Sequence, residues 1–152
     1  MRHYFFDTSA LVKHYHVEAG SSRVDLILRE SGAIFSIARL TLAEVPSVFA
    51  KKVRTQEIAE AAFDGLRLRF FADVGDRVVL PARILNAHFE TAGNRISKHG
   101  KPRPIHTLDA IQLAVALSIQ HPTPIEHFVC ADQQLCDIAA LEGLAVLNPE
   151  LP

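Results

Sequence analysis

Five short apolar runs, rich in aromatic and β-branched residues, recur along the chain at His3–Phe6, Ala33–Ile37, Arg77–Leu80, Glu126–Cys130 and Leu144–Leu147. Longer stretches of helical character separate them: Ser9–His16, Ser22–Glu30, Ala38–Lys52, Gln56–Ala72, Ala82–Ser97, Thr107–Gln120 and Gln133–Glu142. Strands that alternate with helices build βαβ units and hence a parallel sheet. Right-handed crossovers then put helices on both of its faces. The expected fold is α/β, with three layers and a central parallel five-stranded sheet flanked by helices. Pro81 is placed as a helix starter, Gly143 as the C′ residue of the last helix, and Ala38–Lys52 with Gln56–Ala72 as a helical hairpin.

Half of the 152 residues are apolar (49%), so a chain of this length can bury a core without staples. One domain, spanning residues 1–152, is expected. Sixteen Lys and Arg balance 17 Asp and Glu. Bulk charge therefore points to neither nucleic acid nor membrane, and any such site must be a local patch. The two cysteines, Cys130 and Cys136, fit no zinc spacing and form no disulfide framework. No segment approaches 18 uninterrupted apolar residues, the length of a membrane span. These features together lead us to expect a soluble cytoplasmic protein.

In parallel sheets the functional crevice lies at the carboxyl ends of the strands. Two acids fall there. Asp7 follows Phe5-Phe6, and Asp132 follows Val129-Cys130-Ala131. Each also precedes a helix, where Asp is a preferred N-cap. Glu44 has Leu40 and Val48 one turn away, on an apolar stripe. An ionised carboxylate there needs a partner, a metal or a raised pKa, unless it snorkels to water. Asp109 opens the most apolar helix in the chain, Leu108–Leu117, and an acid in a first turn also complements the helix dipole. Four converging carboxylates cannot all ionise without compensation. An all-oxygen donor set suits Mg²⁺ or Mn²⁺ better than zinc, and such an ion suits phosphodiester hydrolysis.

Asp7-Thr8-Ser9-Ala10-Leu11-Val12-Lys13, Glu44 in a Leu-rich helix, Leu108-Asp109-Ala110-Ile111-Gln112-Leu113-Ala114, Ala131-Asp132-Gln133-Gln134-Leu135 and Glu142–Pro149 together resemble the PIN-domain family. Within it the chain looks most like the VapC-type toxin ribonucleases, over nearly its full length. The resemblance implies a PIN-like domain acting as a Mg²⁺- or Mn²⁺-dependent endoribonuclease. Asp7, Glu44, Asp109 and Asp132 would be its catalytic and metal-binding acids, with Ser9 and Thr8 in support. It also implies a homodimer, a cognate antitoxin, and structured RNA such as tRNA or rRNA as substrate. Two features depart from the family pattern: Pro46 lies two residues after Glu44, and Gln112 stands where His is common. Asp137 is a nearby substitute for Asp132.

An acidic site needs cations to guide RNA. Arg95–His106 carries four formal positive charges and no acid, and its Gly and two Pro mark a loop, either solvated or contacting phosphate. Lys98, Lys101 and Arg103 come from it, and Lys13 follows Asp7 on the first helix. Lys51, Lys52 and Arg54 end the Glu44 helix, where they either compensate its dipole or steer substrate. None of the eight histidines falls in a metal-binding spacing. A haloacid-dehalogenase-type phosphatase would need a second Asp where Ser9 stands. The remaining alternatives are a PIN-like module that binds RNA or protein without cutting, and an RNA-processing nuclease that is not a toxin.

Overall fold

The computed structural model describes residues 1–152. The chain runs β1 (His3–Phe6), α1 (Thr8–Leu11, continued by a 3₁₀ turn over Val12–His14), α2 (Ser21–Leu28), β2 (Ile34–Ala38), α3 (Thr41–Arg54), α4 (Glu60–Gly75), β3 (Leu80–Ala82), α5 (Asn86–His99), α6 (Thr107–Gln120), β4 (His127–Val129), α7 (Gln133–Leu141) and β5 (Val146–Leu147). The five strands form one parallel sheet in the order β3-β2-β1-β4-β5. Successive crossovers run outward from β1 to β3, then return past β1 to β4. The strand order therefore reverses between β1 and β4, and a crevice opens at their carboxyl ends.

The central strand β1 is buried on both faces, which explains why His3–Phe6 reads as a continuous apolar run. Its side chains alternate between two cores. Tyr4 and Phe6 join Leu11, Val24, Val45, Phe49 and Phe70 from the α1–α4 side. Phe5 joins Phe128, Leu113, Leu135 and Ile138 from the α6–α7 side. Helix α6 is buried continuously from Ala110 to Ala116, so its first turn is held rigidly at the crevice. No helix is long and apolar enough to cross a membrane.

The three-layer α/β architecture matches the expected one, and β1 and α6 have the expected bounds. The middle of the chain differs. The expected strand at Arg77–Leu80 forms instead over Leu80–Ala82, because Arg77 adopts a left-handed φ of 62° and ends the preceding turn. Pro81 does not start a helix. It pairs with Ile37 on the edge strand β3, where a missing N–H is tolerated. Helix α5 accordingly begins at Asn86, and α4 at Glu60. The stretch Arg95–His106 is not all loop, since α5 extends to His99. Helix α3 continues through Pro46 without ending there. Gly143 takes φ 89° directly after α7, as its expected C′ position requires.

Candidate active site

Asp7, Thr8, Ser9, Glu44, Val48, Lys51, His106, Asp109 and Asp132 line one cleft of about 390 Å³ at the carboxyl ends of the strands. All four acids singled out from the sequence are therefore brought together, with their two supporting hydroxyl residues. None of the four forms an ion pair with a Lys, Arg or His.

Asp7 is placed by β1. Its backbone N–H extends the sheet ladder to Val129 O at 2.9 Å, and its side chain caps α1. Oδ2 accepts from Ser9 N at 2.9 Å and from Ser9 Oγ at 2.5 Å. Ser9 Oγ in turn accepts from Ala131 N at 3.0 Å, tying the ends of β1 and β4 together. Asp7 is only 4% exposed. Burial pushes its pKa up to about 7, against the opposing hydrogen bonds from Ser9, and the charges of Asp109 and Glu44 raise it further.

Asp109 comes from the first turn of α6. Burial raises its pKa, the Asp132 and Glu44 charges add to that, and His106 opposes it. Asp132 caps α7, accepting from Leu135 N at 3.1 Å. Capping and a place in the cleft are thus combined at both Asp7 and Asp132. Glu44, from α3, is held on one oxygen: Oε1 accepts from Thr8 Oγ1 at 2.9 Å and from Gln112 Nε2 at 2.6 Å. Asp137 does not line the cleft. It is exposed on α7 and accepts from Gln133 Nε2 at 2.7 Å.

The donor set can be tested against the ion it implies. As they stand, no three His, Cys, Asp or Glu side chains close around a common point at metal-ligand range. Mg²⁺ needs only one or two direct carboxylates and keeps several waters, so an open oxygen-lined cleft fits it, as it fits Mn²⁺. Zinc does not fit. Cys130 and Cys136 are both buried, and the Cys130 thiol is pushed far up by its hydrogen bond with Cys136 and by burial, so it stays neutral.

The expected RNA-contacting cations fare less well. Lys13 is 5% exposed and paired with Glu150 at 2.5 Å and Glu18 at 3.3 Å, which removes it from the surface. Lys98 pairs with Glu142 at 2.8 Å, alongside Arg95 and His99. Lys101 and Arg103 form no ion pair, but neither lines the cleft. Lys52 is paired with Glu18 and Glu57, whereas Lys51 is exposed and lines the cleft. Lys51 lies at i+7 from Glu44 and i+3 from Val48, a shared helix face legible in the sequence. Lys51 is one of the cations expected to steer substrate, whereas His106, which lines the cleft, and the fully buried Gln112, which contacts Glu44, were not assigned to the site from the sequence.

No family model and no curated protein matches the sequence. Solved structures do. VapC20 from Mycobacterium tuberculosis, described as a Sarcin-Ricin loop cleaving toxin, superposes with a TM-score of 0.65 at 15% identity, over 97% of this chain and 98% of that one. FitAcB from Neisseria gonorrhoeae superposes with a TM-score of 0.56 at 17% identity, over 96% of this chain and 97% of that one. At these identities the likeness is one of fold: the chain has the PIN-like α/β fold of the VapC type.

Proposed function

We propose that the protein is a Mg²⁺- or Mn²⁺-dependent endoribonuclease and the toxin of a VapBC-type toxin–antitoxin pair, acting in the cytoplasm as a homodimer. The observation that carries this reading is the set of four carboxylates in one cleft, none of them in an ion pair, at the reversal point of a parallel sheet. Leaving buried charge unneutralised costs stability, and a cation recovers it on binding. The fold shared with a toxin that cleaves the Sarcin-Ricin loop supports structured RNA, such as tRNA or rRNA, as substrate and an antitoxin as partner.

Asp7, Glu44 and Asp109 would hold the cation directly or through water, and Asp132 would complete the set. The ion would supply charge neutralisation at the scissile phosphate and a water acidified for attack. Asp7, whose pKa burial lifts to about 7, would have to be ionised to hold a cation. Ser9 fixes the rotamer of Asp7, and Thr8 fixes one oxygen of Glu44. Lys51 and His106, at the wall of the cleft, are placed to meet the RNA backbone.

The test is cleavage of a structured RNA by purified protein with Mg²⁺ or Mn²⁺ and with a chelator. Cleavage should require the metal and disappear in Asp7→Asn and Asp109→Asn while circular dichroism is unchanged. A binding module that does not cut is favoured by one observation, the lack of three acids already closed on a common point. RNA that is bound tightly and never cleaved under any metal would establish that reading instead.

A further inference from the structure

Gln112 lies one turn after Asp109 on α6 and has no exposed surface. Its amide nitrogen sits among three oxygens: Glu44 Oε1 at 2.6 Å, Thr8 Oγ1 at 3.0 Å and Thr41 Oγ1 at 3.0 Å. Thr8 Oγ1 also reaches Glu44 Oε1 at 2.9 Å and Thr41 Oγ1 at 3.1 Å. The four groups form a closed knot joining α1, α3 and α6. Its donors are the two amide hydrogens and the two hydroxyl hydrogens. Its only anionic acceptor is Glu44 Oε1, and Glu44 Oε2 makes no hydrogen bond within the protein.

The other end of the amide makes the arrangement informative. Gln112 Oε1 is buried and has no hydrogen-bond partner. A buried unsatisfied carbonyl costs about 1–3 kcal/mol. An apolar side chain would suit a helix buried from Ala110 to Ala116 without that cost. What the position gains against that cost is not packing but the amide nitrogen's contacts to Glu44, Thr8 and Thr41. An amide has one property here that apolar, acidic and imidazole side chains lack: it is a neutral donor at every pH, so it can hold a carboxylate without neutralising it. It adds neither a fifth negative charge to the cleft nor a positive charge that would compete with a cation.

We propose that Gln112 is a positioning residue for the metal site: together with Thr8 it commits one oxygen of Glu44 to the protein and so presents the other to the cation. The inference rests on the reading of the cleft as a divalent-cation site. Outer-shell partners of this kind typically contribute about 10- to 100-fold in metal affinity or activity. Because Gln112 acts through Glu44, its effect must vanish where Glu44 cannot ligate.

The test uses Gln112→Met, which keeps the unbranched shape and removes the donor, with Glu44→Gln and the double variant. Mn²⁺ binding to the metal-free protein is followed by calorimetry. Gln112→Met should weaken binding about 10- to 100-fold, while the melting temperature without metal stays level or rises as the orphaned carbonyl is removed. In the Glu44→Gln background the same change should alter Mn²⁺ affinity by less than about twofold. In RNA cleavage kcat should fall with KM nearly unchanged, and Gln112→Asn should restore part of the loss. Equal loss of affinity in both backgrounds, or a loss that follows a drop in melting temperature, would overturn the proposal.

A metal-free readout separates this inference from the proposed function. In the ¹⁵N spectrum of the metal-free protein the Gln112 side-chain amide should be protected from exchange and should shift in Glu44→Gln. If wild-type protein binds no Mn²⁺, the metal-dependent nuclease reading fails whatever that signal shows. An unprotected amide, indifferent to Glu44→Gln, would overturn the Gln112 inference even if the protein binds metal and cuts RNA.

Discussion

At the end of α7 the Glu142 carboxylate, 7% exposed, meets Arg95 at 2.8 Å, Lys98 at 2.8 Å and His99 at 2.6 Å, whereas at the end of β1 the Asp7 carboxylate, 4% exposed, meets no cation at all. Burial alone pushes a carboxyl pKa up. At Glu142 that push is outweighed by His99, Lys98 and Arg95, which hold it below the usual carboxylate range. At Asp7 the push prevails and lifts the pKa to about 7. One region uses a buried acid to clasp α5 to α7. The other leaves a buried acid and its three neighbours without an ion pair. The difference separates an acid whose charge the fold satisfies from one whose charge it does not, and the proposed cation would supply what is missing at the second.

The largest contrast should appear in activity. Asp7→Asn or Asp109→Asn should reduce metal-dependent RNA cleavage by about a thousandfold, whereas Glu142→Gln should leave the rate per folded molecule within about twofold. Initial rates on a single structured RNA, normalised to folded protein, check this. Equal losses at both places would erase the distinction.

Stability should show the opposite order. Glu142→Gln leaves Arg95 and Lys98 without their acid and should cost about 1–3 kcal/mol, lowering the melting temperature by several degrees. Asp7→Asn removes a repelled charge and should raise the metal-free melting temperature by a few degrees, corresponding to about 1–2 kcal/mol. Scanning calorimetry in chelator measures both signs.

The pH dependence sharpens the comparison further. Between pH 3.8 and about 7 folded Asp7 keeps a proton that the unfolded chain has released. The folded state then binds more protons, so stability without metal falls as pH rises through that window and levels off above it, by up to about 4 kcal/mol. Glu142, held low when folded, works the other way. Its contribution is present above the unfolded carboxyl value and is lost as pH falls through the folded one. Urea unfolding at stepped pH should lose the falling limb in Asp7→Asn and the acid-side loss in Glu142→Gln.

The smallest effects concern RNA docking. Lys51→Ala should weaken RNA binding and reduce its salt slope by about one, because a single phosphate contact is lost. Lys98→Ala and Lys13→Ala should leave the slope unchanged, since their ammonium groups are engaged by Glu142 and by Glu150 and Glu18. A salt titration of RNA affinity distinguishes the three.

The four acids were legible because each announced itself locally. Asp7 and Asp132 follow apolar strands, Glu44 interrupts an apolar stripe, and Asp109 opens a helix that is apolar nearly all round. The parallel sheet was legible for the same reason, from the alternation of periodicities. What was not legible depended on partners distant in the chain. Lys98 and His99 read as part of a basic loop, yet Glu142, more than 40 residues later, holds them at the end of α5. Lys13 read as a surface cation until Glu150 buried it from the far terminus. Pro81 read as a helix start because nothing local distinguishes that role from a place on an edge strand. Gln112 stood out only as a departure from a family pattern, because its partners Thr8, Thr41 and Glu44 lie 68 to 104 residues away.

The most direct test of the central claim is calorimetric titration of Mn²⁺ into metal-free protein at pH 6.5, repeated in buffers of different ionisation heat. A single class of site should bind the ion and release about three-quarters of a proton, the fraction Asp7 carries at that pH before loading. Both the binding and the proton release should collapse in Asp7→Asn. Absence of binding, or binding that releases no proton and survives Asp7→Asn, would contradict the account.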